Sequence, residues 1–170
     1  MLIRQARYED IKTILSIVRS AQLSLSELGI DQWQDGYPSE DVIAEDISNG
    51  VGYVACTEEG DVVGYEAILL SGEEAYSQIE DCLWHTSNNY VVVHRLCVDG
   101  TLRRKGVAIE LMAFAGDFAL QHGISDFRID THEGNVRMLA LLEKLGFEHV
   151  GTISYDSGLR EAFDLKLNKN

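Results

Sequence analysis

Three basic residues, Arg103, Arg104 and Lys105, run directly into Gly106-Val107-Ala108 and an apolar, helix-like stretch. Ahead of them lies an apolar strand-like run, Tyr90 to Val98, closed by a turn at Asp99-Gly100. Strand, turn, basic residues, glycine and helix, in that order, build an anion site from backbone. The first N–H groups of a helix lack intrahelical partners and sit at the positive end of its dipole. A glycine there lets a phosphate approach the main chain closely, and flanking Arg and Lys add charge. The ligand this predicts is a phosphate-bearing small molecule, and a diphosphate fits best. No Gly-Lys-Ser/Thr follows, so the loop is not a Walker loop. One glycine and one alanine stand where the dinucleotide fingerprint needs three small residues. Taken alone, the stretch reads equally well as a solvated basic turn capping an ordinary helix.

A second motif separates these readings. Arg103, Gly106 and Ala108 satisfy the pattern Arg/Gln-x-x-Gly-x-Gly/Ala, and Asn135-Val136-Arg137-Met138-Leu139-Ala140-Leu141-Leu142-Glu143-Lys144-Leu145-Gly146-Phe147 follows it. In both motifs, in their order and spacing, the chain resembles the GNAT-type N-acyltransferases, whose second segment reads Asn…Leu-Tyr-Glu-Lys-Leu-Gly-Phe. The resemblance implies acetyl-CoA as the acyl donor, lying where two central strands splay apart. It assigns main-chain groups of Leu96, Cys97 and Val98 to the pantetheine arm and the thioester carbonyl. It assigns Arg104, Lys105, Gly106, Val107, Ala108 and Ile109, with Arg103 of the same motif, to the diphosphate. A backbone N–H aimed at the carbonyl oxygen stabilises the charge that develops there. Asn135 matches the family's side-chain contact to the pantetheine arm, and the same residue can cap the following helix.

Acylation of an amine needs a neutral nucleophile, yet an alkylamine has a pKa near 10 and is mostly protonated at neutral pH. A general base must take the proton, directly or through a water. His94 lies two residues before Leu96, on the same face of a regular strand, where some arylalkylamine-type members resemble it in carrying a base histidine. Its ordinary pKa near 6.5 suits the task, although a strand histidine can equally be a packed core residue. Asp130, five residues before Asn135, stands where peptide-acetylating members carry a glutamate base; its alternative is a pair with a nearby cation or with His132. Glu66, inside Val63-Gly64-Tyr65-Glu66-Ala67-Ile68, is a third candidate, a carboxylate that could face the acceptor, and an exposed strand face is the simpler account.

The chain departs from the family at Leu142, where many members place a tyrosine that protonates the departing thiolate. Tyr155 or water would then supply the proton, or no acid is used, since a thiolate with pKa around 8.5 is a tolerable leaving group. An acyl-cysteine route through Cys97 and His94 is disfavoured, because residues three apart on a strand point to opposite faces. His132-Glu133 opens like a zinc motif, but Val136 stands where its second histidine is needed, so no metal site is expected.

The acceptor is sought in two variable stretches. Between the early helices, Trp33 and Tyr37 could wall a pocket and Asp31 or Asp35 could hold an ammonium, or both aromatics could be packing anchors. In Ser71 to Asn89, Glu73, Glu74, Glu80 and Asp81, with Trp84, suit a cationic amine, or form a solvated acidic loop. The function expected is therefore acetyl transfer from acetyl-CoA to a primary amine of a small cationic molecule, directly within a ternary complex. Two alternatives stay open: acetylation of a protein or peptide, and a CoA-binding regulatory module with little turnover.

The elements that must position these residues read as follows. Met1 to Arg7 alternates as a first strand, and Asp10 is an N-cap or first-turn acid for a helix with Ile11, Ile14, Leu15 and Val18 at helical spacing. A second helix begins at Ser39, carries Val42, Ile43 and Ile47 on one side, and ends at Gly50. Strands over 52–57 and 61–70 form a hairpin about Glu58-Glu59-Gly60. Ser71 to Asn89 lacks periodicity and reads as a long connection. After the phosphate-loop strand come a helix over 106–122, a strand over 127–131, a helix over 135–145 stopped by Gly146, and strands over 148–155 and 161–167. The sum is one α/β domain over 1–170, a GNAT-like mixed sheet of about seven strands flanked by about four helices.

The composition agrees. The 170 residues suit one domain, and an apolar content of 45% supplies a core. No run reaches the roughly 18 apolar residues needed to span a bilayer, and the N-terminus lacks the order of a signal peptide. Cys56, Cys82 and Cys97 are odd in number and form no Cys-x-x-Cys pair, which suits a reducing cytoplasm. A net charge of −14 repels nucleic acid and favours a cationic acceptor, while also serving solubility. Dimers are common among the proteins the chain resembles, so a homodimer is an expected assembly.

Overall fold

Hydrophobic periodicity and turn chemistry are realised in a computed structural model that describes residues 1–78, 84–86, 89–102, 105–155 and 158–168. Seven strands form a mixed sheet in the order β1-β2-β3-β4-β5-β7-β6, and the α/β class is the one expected. The chain divides into two compact units, Met1–Ile68 with Val93–Phe114, and Leu69–Val92 with Ala115–Asn170.

In the first unit, β1 (Leu2–Gln5) leads through a short 3-10 turn, Tyr8–Asp10, into α1 (Ile11–Glu27). Asp10, expected as an N-cap or first-turn acid, stands at the N-cap position of α1, but its carboxylate makes no cap hydrogen bond to that helix. It accepts the Arg7 N–H at 2.7 Å and pairs with Arg4 Nη1 at 2.7 Å, closing the turn before the helix. Ile14 and Val18 of α1 are buried, which is what their spacing predicts, and Ile17 is buried with them. In α2 (Glu40–Ser48), Ser39 Oγ accepts the Val42 N–H at 3.4 Å as an N-cap, and Ile43 is fully buried. The hairpin of β2 (Gly52–Cys56) and β3 (Val62–Leu69) is antiparallel, and every residue of β2 is buried. The last residues of β4 (Tyr90–Val98) and the first turns of α3 (Val107–Gln121) complete this unit.

Two apolar clusters show which side chains share a face. Ile14, Ile17, Val18 and Ile43 pack with Val54, Cys56, Tyr65 and Cys97. Ala55, Val63, Val107 and Leu111 pack together, joined by Leu96 and Val98. Neighbouring strand residues thus divide between α1–α2 and α3, as the pleat requires.

In the second unit, β5 (Asp126–Thr131) pairs in parallel with Tyr90–Val92 of β4, and antiparallel with β7 (Gly158–Lys166). β7 starts three residues earlier than its sequence pattern suggests and pairs along its length with β6 (Glu148–Tyr155). Between β5 and β6 lies α4 (Val136–Leu145). Asn135 Oδ1 accepts the Met138 N–H at 3.2 Å as its N-cap, and Gly146 ends it at φ 82°. The connection after β3 was read as aperiodic, yet Glu74–Gln78 is a 3-10 turn whose Tyr76 is only 2% exposed. Tyr76, Val92, Val150, Ile153 and Ala162 form this unit's core cluster, with Trp84, Tyr90 and Tyr155 against it. No helix among the described residues is long and apolar enough to cross a membrane.

Candidate active site

The strand, glycine and helix of the basic motif fold as the sequence predicts. Gly106 takes φ 88°, and a Cβ built on it would meet nothing within 4 Å, so its main chain lies open to an approaching group. Directly after it, α3 begins at Val107, leaving the first N–H groups of a 15-residue helix for a ligand. Lys105 is exposed beside them. An open glycine, a long helix's positive end and a lysine fit a diphosphate. Arg103 and Arg104 lie outside the described residues. Val107 is buried, while Ala108 and Ile109 are partly exposed on the same turn.

Leu96, Cys97 and Val98 end β4. The side chains of Leu96 and Val98 pack with Val107 and Leu111, and that of Cys97 packs on the α1 side. Burial pushes the Cys97 thiol up to about 12, so it stays protonated and is no nucleophile. Their side chains being occupied, these three residues have only main-chain groups to offer, which is the role expected of them. Just before them, Arg95 has φ 59°. The alternation that would set His94 and Leu96 on one face assumes extended backbone at Arg95, and that assumption fails.

Arg95 itself was not singled out by its sequence. Its Nε and Nη2 donate to Asp46 at 2.8 and 2.6 Å, and its Nη1 donates to Tyr37 Oη at 2.8 Å. Asp46 also accepts the Tyr65 hydroxyl at 2.7 Å, and burial with this contact raises Tyr65 well above its ordinary pKa. Tyr37 remains 39% exposed, whereas Trp33, at φ 66°, packs against the α1–α2 core as an anchor. Asp35 Oδ1 accepts the Tyr37 N–H at 3.3 Å within the same stretch.

Glu66 corrects the sequence reading. The strand face it occupies is not exposed: the residue is 0% accessible, and neither carboxylate oxygen has a hydrogen-bond partner among the described residues. Its register partner Tyr53 packs its ring, tilted, against Phe114 of α3 at 5.3 Å, and a Cβ on Gly64, two residues before, would meet Leu111 and Val107. Glu66 therefore points under α3, and burial pushes its carboxyl up to about 8. In this conformation its carboxylate reaches no solvent, so it does not face an acceptor.

In the second unit, Asp130 has neither a cation nor His132 as its side-chain partner among the described residues. Its Oδ2 accepts the Tyr76 hydroxyl at 2.6 Å and the Tyr155 hydroxyl at 3.1 Å. His132 Nδ1 instead accepts the Gly134 N–H at 2.9 Å. Burial, then the Asp130 charge, holds both phenols well above their ordinary pKa, so they remain donors. Glu73 adds to both shifts. The Trp84 ring lies tilted against Tyr76 at 5.3 Å and 4.4 Å from the Arg128 guanidinium, and its buried indole N–H has no partner among the described residues. Glu80 and Asp81 of the same acidic stretch lie outside the described residues. Leu142 is wholly buried in the packing of α4.

Tyr76 is the residue that the sequence concealed, because nothing periodic surrounds it. Among the described residues, no group of three His, Cys, Asp or Glu side chains is placed to hold a metal ion.

The chain as a whole is similar to known proteins. The model of the Acetyltransferase (GNAT) family matches residues 20–147. A GNAT-family acetyltransferase from Streptococcus agalactiae is 32% identical, with 99% of this chain and 96% of that one covered at a TM-score of 0.86. A GNAT-family acetyltransferase from Listeria monocytogenes shares the fold at 21% identity, covering 98% and 94% at a TM-score of 0.75. GCN5-related N-acetyltransferase 6, chloroplastic, of Arabidopsis thaliana is 32% identical over 71 residues, 42% of this chain. The match spans 25% of that relative's length.

Proposed function

Because the chain belongs to the acetyltransferase (GNAT) family, we propose that it transfers an acetyl group from acetyl-CoA to a primary amine of a small cationic molecule. Transfer is direct, within a ternary complex. The donor supplies an activated thioester carbonyl. Lys105, the open main chain at Gly106 and the N–H groups of Val107, Ala108 and Ile109 hold its diphosphate, with Arg103 and Arg104 of the same motif. Main-chain groups of Leu96, Cys97 and Val98 hold its arm and polarise the carbonyl. Asn135, whose Oδ1 caps α4, keeps its amide N–H groups for the same arm. His94 takes the amine's proton.

The observation that carries the cationic acceptor is Asp130. Its Oδ2 is oriented by Tyr76 and Tyr155, while among the described residues no hydrogen bond reaches Oδ1 and no cation forms an ion pair with the carboxylate. A half-buried carboxylate fixed on one side and open on the other is a counter-ion for an ammonium. Trp84, whose ring lies 5.3 Å from that of Tyr76, supplies aromatic surface for the acceptor's body.

The test is thiol release from acetyl-CoA across matched pairs of amines and their α-carboxylated analogues. Faster turnover of each amine than of its amino acid supports the reading, since Asp130 and Glu73 disfavour a second carboxylate. Preference for peptide N-termini would replace the small acceptor by a protein. The wholly buried Leu142, standing where the family's acid tyrosine belongs, favours one other reading, a module that binds CoA with little turnover. Micromolar acetyl-CoA binding with no thiol release from any amine would select it.

A further inference from the structure

A left-handed backbone at a non-glycine residue crowds Cβ against the following carbonyl, and it persists where surrounding contacts over-determine it. Arg95 adopts it at φ 59°, inside β4. The contacts that hold it are complete. The fork of Nε and Nη2 grips both oxygens of Asp46, at 2.8 and 2.6 Å, and the two side chains are 12% and 8% exposed. Tyr65 braces Asp46 from β3, and Tyr37 accepts the remaining edge of the guanidinium.

An ion pair this buried contributes little net stability, because desolvation offsets most of the attraction. Apolar residues of equal volume would fill the space as well. What such a pair supplies is a fixed geometry, and here the geometry belongs to the residue directly before Leu96-Cys97-Val98. Beyond Arg95, Leu96 and Val98 turn toward α3 while Cys97 turns toward α1, so regular alternation resumes at once. The backbone turn at Arg95 therefore sets the direction in which the next three main-chain N–H and C=O groups point.

We infer that Asp46 and Arg95 are positioning residues. Their fork holds the left-handed turn of β4 and thereby aims the main-chain groups of Leu96, Cys97 and Val98 at the pantetheine arm and thioester carbonyl. Through its hydroxyl, Tyr37 ties the stretch between α1 and α2 to the same guanidinium, so that stretch and the strand share one anchor. The inference rests on the acetyl-CoA reading above.

The test separates the two halves of the cofactor. ADP offers a diphosphate to Lys105 and Gly106 but has no pantetheine arm. In Asp46→Asn, calorimetry should show ADP affinity within about twofold of wild type, while acetyl-CoA affinity and kcat each fall about tenfold or more. Equal weakening of both ligands would mean general damage to the fold, and no weakening of either would mean the fork is idle; each overturns the inference. Arg95→Gly and Arg95→Ala lose the same guanidinium, but only glycine accepts positive φ freely. The glycine variant should retain a kcat at least about threefold above the alanine variant; equal rates, or alanine ahead, would overturn the role of the turn.

Breaking a buried pair can prevent folding, so Tyr37→Phe provides a milder arm that removes only a half-exposed hydroxyl. Its kcat should fall severalfold with ADP affinity unchanged, and wild-type kinetics would remove Tyr37 from the device. A wild-type protein that binds ADP and acetyl-CoA, beside variants that all behave like it, sinks this inference alone. A wild-type protein that binds neither ligand sinks the cofactor reading and this inference together.

Discussion

Tyr76 donates its hydroxyl to Asp130 at 2.6 Å across 54 positions of sequence, from a 3-10 turn onto the strand β5. The contact joins the acidic connection after β3 to the carboxylate proposed to receive the acceptor. Asp130→Asn should raise the KM for a cationic amine by about tenfold or more, the cost of a hydrogen bond to a charged group. The KM for acetyl-CoA should change little. Tyr76→Phe should reproduce part of that rise, because Asp130 then keeps only the longer bond from Tyr155. Steady-state kinetics with each substrate varied in turn checks both, and an unchanged amine KM in Asp130→Asn removes the carboxylate from the acceptor site.

His94 is tested on a different parameter. His94→Ala should lower kcat by about a hundredfold, the usual range for a lost general base, while acetyl-CoA affinity stays near wild type. Turnover in the variant should recover as pH rises and the amine loses its proton unaided. A rate equal to wild type at neutral pH would transfer the role to another group, Asp130 first.

Glu66 makes a prediction about stability. Its carboxyl moves from an ordinary value of 4.5 to about 8 on folding, because burial penalises the charged form. A raised pKa means that the folded protein holds the proton more tightly, so the carboxyl's contribution is full below about 4.5. It is lost progressively as pH rises toward 8, and above that the folded state carries a buried charge. Glu66→Gln cannot ionise. Denaturant unfolding of both proteins from pH 5 to pH 9 should show the variant gaining on wild type by a few kcal/mol over that window. A constant difference across the range would show that Glu66 does not change protonation on folding.

Much of the fold was legible because its signals are local. Helical spacing of Ile11, Ile14, Leu15 and Val18, the cap residues Ser39 and Asn135, and Gly146 after α4 each act within a turn or two, and the structure keeps all of them. The strand, glycine and helix around Gly106 were legible for the same reason: they follow one another directly. The illegible features are pairings between distant positions. Arg95 meets Asp46 across 49 residues, and Asp46 looks like any acid on an exposed helix turn until its burial is known. Tyr76 lies in a stretch without period, so nothing local marks it as buried. Glu66 misled for a related reason. An acid on a strand normally marks the solvent face, and here it lies under α3 without a partner among the described residues.

The chain has two tryptophans, and each compact unit holds one: Trp33 against the core beside α1, Trp84 beside Tyr76 and Arg128. The molecule thus carries its own pair of fluorophores, and Trp33→Phe or Trp84→Phe silences either. If residues 1–170 fold as one cooperative domain, the two single-tryptophan proteins, corrected for their own stabilities by circular dichroism, report the same urea midpoint. Two separate midpoints would make the units independent in folding. Trp84 would also be an optical reporter for acceptors, since a cation arriving at Asp130 changes the field at an indole tilted against Tyr76. Binding of a colourless amine could then be followed by light alone, before any acetyl group is supplied.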